Sequence, residues 1–228
     1  MALYLSWGAT NTVADSCLHT VRTSNGTYST SLLRSLAPAL FSVGTYQEVM
    51  FHGELFNDNG GFRGPPSPER DAAWDRITPE DPFPISASEV VKVGKSLESS
   101  IRYPDDKGGQ YAANLEVFHQ LHCLNLLRKA THFEYYADKE IMFKTTPHMI
   151  QEHLDHCIDM LRISLQCTSD LTLITFNAST PEFPMAEYIP DFYTNHRCRN
   201  FEQTLDWYND RRIPLHLPST HDMSDERP

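Results

Sequence analysis

Two copies of one ten-residue pattern constrain this chain more than any other feature of its sequence. HQLHCLNLLR (119–128) and HLDHCIDMLR (153–162) start 34 residues apart and share both histidines, the cysteine and the closing Leu-Arg pair. Three further positions are conservative: Leu124/Ile158, Asn125/Asp159 and Leu126/Met160. With 11 histidines and five cysteines in 228 residues, chance supplies on the order of 0.01 copies of H-x-x-H-C. Two copies are therefore a strong signal.

The spacing has a direct structural meaning. Residues three and four apart lie on one helix face, so His119, His122 and Cys123 point together, as do His153, His156 and Cys157. Leu126 and Ala130 extend the first face and Met160 the second, which places the histidines on an inward stripe. The link between the helices, 137–146, is short enough for antiparallel neighbours. The expected fold is mainly α, with a central antiparallel pair of long helices carrying the two motifs. Those helices would gather four imidazoles and two thiols in one buried cluster.

Four buried neutral imidazoles carry up to eight ring nitrogens, which is costly unless a metal, water or backbone satisfies them. A metal centre on His119, His122, His153 and His156 is the simplest resolution. Imidazole suits zinc, copper, iron and nickel, so ligand type leaves the ion open. A lone histidine on an apolar helix face is ordinarily a satisfied core residue; the duplication argues against that here. Cys123 and Cys157 are candidates for a disulfide locking the helices, in preference to ligating the ion. Cys167 and Cys198 are candidates for a second bridge, with Cys17 left over. Glu116, Asp155 and Asp159 are available to orient the imidazoles, and Arg128 and Arg162 to hold helix ends. His196, beside Cys198 at the entrance to a last helix, either completes the site or caps and bridges that helix.

Other signatures are missing. Glu116 and His119 form an E-x-x-H, but the second copy has Ile150 where a di-iron site needs a glutamate. There is no G-x-S-x-G, H-E-x-x-H or phosphate-binding G-x-x-x-x-G-K, which removes the commonest hydrolase, zincin and nucleotide-binding readings.

The rest of the chain frames this centre. Residues 1–66 read as an irregular N-terminal segment packed on the core, with a short strand at Tyr46–Phe51. A helical metal-binding core spans 67–212, and 213–228 reads as a flexible tail, in one domain overall. Ser67-Pro68 opens a helix to Ile77, and Ser86 with Glu89 forms a capping box. Helical patterns run from Tyr111 to Tyr136, from Thr146 to about Cys167 and from Asn200 to Arg212, with a strand at 171–176.

Composition narrows the partners. Nineteen basic against 30 acidic residues give a net charge of −11, which excludes a footprint for phosphate backbones and hence nucleic acid. No apolar run reaches the length of a membrane span, and the N-terminus lacks the basic region of a signal peptide. Asn25 and Asn177 head N-x-S/T sequons that would be glycosylated in a secretory compartment.

At this point the residues resemble a known family. HQLHC and HLDHC are similar to the paired motifs of the UstYa-like family, fungal oxidases of mycotoxin and ribosomal-peptide biosynthesis. PPSPERDAAWDRI (65–77), LRISLQCTSDLTLITF (161–176) and HRCRNFEQTLDWYNDR (196–211) resemble further family segments, so the likeness spans about 40–212. It implies a copper-dependent oxidoreductase (one or two ions, in preference to zinc or iron) that activates O2 at the histidine cluster. His119, His122, His153 and His156 match the motif histidines. It further implies a peptide or small natural-product substrate, cyclised, hydroxylated, dehydrogenated or halogenated, reached through aromatic loops such as 183–193. Homo- or hetero-oligomers with related proteins fit the same picture. Family members carry a membrane anchor ahead of the domain, which this chain lacks, so a lumenal domain, soluble as given, is expected. The competing expectation is a non-catalytic, zinc- or disulfide-stabilised helical module or accessory subunit.

Overall fold

A computed structural model describes residues 43, 45–53, 60–178 and 187–215. Within them the fold is mainly α with a few short strands. Helix α1 (Pro68–Ile77) starts where Ser67 accepts a hydrogen bond from the Arg70 amide and Pro68 occupies the first turn. Its inner face buries Trp74 and Ile77. The chain then enters β2 (Phe83–Ile85), having formed β1 (Tyr46–Met50) before α1. Helix α2 (Ala87–Lys92) opens on the Ser86/Glu89 capping box.

The helical pattern at 111–136 divides into three pieces. Tyr111–Ala113 is strand β3, paired antiparallel with β2, Phe83 against Ala113. Helix α3 (Glu116–Ala130) and the single turn α4 (Phe133–Tyr136) follow. Tyr111, Ala112 and Ala113 fit a helix as well as a strand; a free edge on β2 decides the matter.

Helix α5 (Pro147–Thr168) is the longest element, with Thr146 capping its N-terminus and Ser169 ending it in the left-handed region (φ 42°). Beyond it, 171–174 carry no regular structure, and strand β4 is Thr175–Ala178, exposed throughout and paired with β5 (Tyr188–Asp191). The expected strand at 171–176 is displaced toward the C-terminus, to where β5 offers a partner. Strand β6 (Asn195–Arg199) pairs with β1, Val49 against His196, and α6 (Phe201–Asn209) follows, capped by Asn200. His196 therefore sits in a strand and not at a helix entrance, because its backbone is claimed by β1.

Two apolar clusters fill the interior. One joins Phe83, Phe118, Leu205, Trp207 and Tyr208; the other joins Cys123, Leu126, Tyr136, Phe143 and Cys157. Helix α3 contributes to both, which fixes its rotation about its own axis. The expected flexible tail begins pinned: the Ile213 amide donates to Pro82 O, and Lys107 Nζ to Pro214 O. Among the described residues no helix is long and apolar enough to cross a membrane. Asn25 and Cys17 lie outside the described residues, as do 183–186 of the aromatic loop.

Candidate metal centre

Helices α3 and α5 face one another with both motifs in the seam. His119 lies against His156 (ring centroids 5.6 Å) and His122 against His153 (6.3 Å). Numbers rise along one helix as they fall along the other, so the two run in opposite directions. Cys123 and Cys157 are the seam's floor, each fully buried. The imidazoles are its rim: His119 and His122 are more than a third exposed, and His156 is exposed.

This corrects the expectation of a wholly buried cluster. The cysteines occupy the positions that aim at the facing helix, beside Leu126, Tyr136 and Phe143. The histidines one and four residues earlier flank the seam and reach outward. The ring-nitrogen cost is thus partly met by solvent.

Three donors converge most closely. His119, Cys123 and His156 offer ligand atoms all within 4.8 Å of one another, and Cys123 Sγ is 3.8 Å from His119 Nε2. Donors on one tetrahedral ion lie roughly 3.3–3.8 Å apart, given bonds of about 2.0–2.3 Å, so the group must draw in by about 1.5 Å at most. His122 and His153 stand alongside. The sequence favours a disulfide role for the cysteines over ligation; the geometry places Cys123 Sγ among the atoms that could hold an ion. All four described cysteines are free, Cys123 and Cys157 buried, Cys167 exposed and Cys198 half-buried, so neither expected bridge is formed in the structure. Burial, then the contact with Cys123, pushes the Cys157 thiol up to about 12.

Carboxylates address the rim unequally. Glu116 Oε1 is 3.7 Å from His119 Nδ1. Glu80 Oε1, from the turn after α1, is 3.5 Å from His122 Nδ1. A hydrogen bond from His122 holds the Glu80 carboxyl below the usual carboxylate range against the opposing effect of burial. Burial, then repulsion from His122, His156 and His119, keeps His153 below the ordinary imidazole range, so its lone pairs are available to a cation.

The remaining expected residues are elsewhere. Asp155 accepts from Gln151, and Asp159 pairs with Arg162, both on the exposed face of α5. Arg128 is tied into a knot with Asp71 and Tyr136. His196 contacts Asp170, Thr194 and Phe51 and none of the motif histidines. Asn177 is on exposed β4.

Two hollows adjoin His122. One of about 290 Å³ is lined by Glu80, Asn114, Phe118, His119 and His122; the other, about 380 Å³, is polar, with Asp81, Asn125, Lys129 and Glu140 among its walls. Glu80 was invisible to pattern reading because it belongs to a Pro-bounded turn with no period; only the placement of Thr78-Pro79-Glu80-Asp81 beside α3 reveals it.

The family model described as "Mycotoxin biosynthesis protein UstYa" matches residues 1–211. The chain is 33% identical over 152 residues to the UstYa family oxidase phomYc of Diaporthe leptostromiformis, covering 64% of this chain and 57% of that one. It is 29% identical over 175 residues to the UstYa family oxidase aprY of Aspergillus flavus (70% and 51%). It is 39% identical over 98 residues to the UstYa family oxidase VicYb of Bipolaris victoriae (42% and 78%). The chain spans about half the length of the first two. No solved structure matches.

Proposed function

The chain belongs to the UstYa family of mycotoxin biosynthesis proteins, and on that footing we propose that it is a copper-dependent oxidase of fungal secondary metabolism. Its substrate would be a peptide or small natural product, oxidised with O2 at a C–H, O–H or N–H bond. The observation that carries the reading is the convergence of His119, Cys123 and His156 from the two motif copies, flanked by His122 and His153.

This donor set suits copper: imidazole nitrogen and a thiol are ligands it favours among available ions. Bound copper would supply one-electron chemistry with O2 that no side chain provides. The chain's own contribution is positional. Glu116 and Glu80 stand 3.7 and 3.5 Å from the Nδ1 atoms of His119 and His122, placed to accept Nδ1–H after a small approach and so to leave Nε2 for ligation. The half-exposed rim admits a substrate beside the donors, and the hollow between Glu80 and Phe118 can take a polar group on an apolar stem. Cyclisation, hydroxylation, dehydrogenation and halogenation all fit such a rim.

A second reading, a structural zinc site, is favoured by one observation: a buried cysteine stands among the donors. Metal quantification with electron paramagnetic resonance separates the two. Freshly purified protein is expected to hold copper with a cupric signal, and His119→Ala or His156→Ala to lose both the metal and turnover. Zinc in stoichiometric amount with no oxidase activity favours the structural site, and a double variant that keeps its copper and activity refutes the proposal.

A further inference from the structure

Outside the metal centre, one cluster of side chains has the geometry of a reactive site. Thr194 Oγ1 is 2.9 Å from His196 Nε2, and His196 Nδ1 is 2.7 Å from Asp170 Oδ2. Asp170 is itself fixed by Thr172, whose amide (2.9 Å) and hydroxyl (2.7 Å) both donate to Oδ1. Those bonds, then the one to His196, hold the Asp170 carboxyl down at about 2. The anion accepts at Nδ1–H, so Nε2 presents its lone pair to the Thr194 hydroxyl.

The ring cannot easily turn away. Phe51 stacks on it at 3.7 Å between centroids and 15° between planes, and the imidazole is only 12% exposed. Thr194 and His196 are two apart at the edge of β6, so their side chains share one face. All of this lines a cavity of about 590 Å³ whose other walls include Met50, Ile174 and Phe192, within the range of small-molecule sites. Gly53 lets the wall close: a Cβ there would stand 2.4 Å from that of Phe192.

We propose that Thr194, His196 and Asp170 form a hydroxyl–imidazole–carboxylate relay, making Thr194 Oγ1 an acyl acceptor for esters or thioesters of apolar acyl groups. The order of bonds is that of a nucleophile, its base and the group that orients the base. Thr194 Oγ1 attacks the acyl carbon while its proton passes to His196 Nε2. The bond from that carbon to the leaving oxygen or sulfur breaks, and His196 returns the proton to the departing alcohol or thiol. Water or an alcohol then attacks the acyl-threonine, giving its proton to His196 and regenerating the hydroxyl. No oxidant or metal takes part. The site is also remote from the histidine rim: His156 and Thr168 are separated along α5 by about 18 Å, and Asp170 lies beyond.

The test uses the full chain, with and without copper, and p-nitrophenyl butyrate as probe. Peptide mapping by mass spectrometry is expected to find butyrate on Thr194, equally in copper-loaded and copper-stripped protein. Thr194→Ser keeps the adduct; Thr194→Ala and His196→Ala lose it; Asp170→Asn slows its formation by at least about 100-fold. Thr194→Ala retains copper binding and its circular dichroism, which separates a lost nucleophile from a lost fold and from any failure of the oxidase reading. No adduct on the wild-type protein, or an adduct that survives Thr194→Ala, overturns the proposal.

Discussion

His122 and His119 each have one carboxylate at Nδ1, yet the two carboxylates differ in kind. Glu116 is one turn behind His119 on the same helix and is shared with Gln120. Glu80 comes from a separate turn and so ties helix α3 to the end of α1. Glu80→Gln is expected to weaken copper binding by about tenfold, measured by competition titration, with Glu116→Gln having the smaller effect. Equal affinities in wild type and Glu80→Gln would remove Glu80 from the site. Residue identity was legible for the four motif histidines because their spacing is periodic. Glu80 was not, because a carboxylate in a turn has no register until the turn is placed. His196 was legible as chemically notable but misplaced, since HRCRNF gives no sign that β1 waits to pair with it. Cys123 and Cys157 read as a bridge in preference to ligands because nothing in the sequence places a thiol near an imidazole; the 3.8 Å approach of Cys123 to His119 makes it a candidate donor as well.

At the scale of elements, the donors are only as precise as the contacts that hold α3 against its neighbours. Arg128 donates to Asp71 (2.9 Å), Tyr136 (2.8 Å) and Asn125 (2.9 Å), and the Tyr136 hydroxyl donates to the same Asp71 oxygen at 2.6 Å. This knot joins α1, α3 and α4. Burial opposes the charge on Asp71, and the bonds from Tyr136 and Arg128 outweigh it, leaving the carboxyl below its ordinary range. A carboxyl lowered in the folded state stabilises fully above its unfolded value, and that contribution is lost as pH falls through the folded value. Stability is therefore expected to drop below about pH 4, and the drop should be smaller in Asp71→Asn. That variant should cost about 2 kcal/mol at neutral pH, read from urea unfolding; an unchanged midpoint would show the knot to be ornamental. The caps at Ser67 and Ser86 were readable in advance, and Thr146 and Asn200, read as helix starts, also accept from the first turn of their helices. Strand β3 was not, because three residues with mixed propensity take their conformation from β2.

Over the whole molecule, Phe118 and Tyr208 link the core to the site. Phe118 is 1% exposed and adjoins His119 in sequence, with its ring 4.4 Å from that of Tyr208. The Tyr208 hydroxyl is 2.8 Å from both Asp81 O and Asn114 Oδ1, bracketing the turn that bears Glu80 and the start of α3. Phe118→Ala is expected to cost about 3–5 kcal/mol and to release copper, whereas Tyr208→Phe should cost about 1 kcal/mol and weaken copper binding only modestly. Thermal unfolding with metal analysis on the same samples checks both; full copper occupancy in folded Phe118→Ala would uncouple core from centre. The seam between α3 and α5 holds one more consequence. Exchanging the two motif copies turns the contact of His119 with His156 into that of His153 with His122, and both contacts are present. The centre is thus organised about a local pseudo-dyad, as in a homodimer interface, but both halves lie on one chain and are free to diverge. They have diverged: Glu116 has Ile150 as its counterpart, and Glu80 serves one end alone. Under the proposed function, a substrate arriving on that axis would meet two chemically unlike ends, and the chain would impose a direction on a histidine pattern that is nearly symmetric.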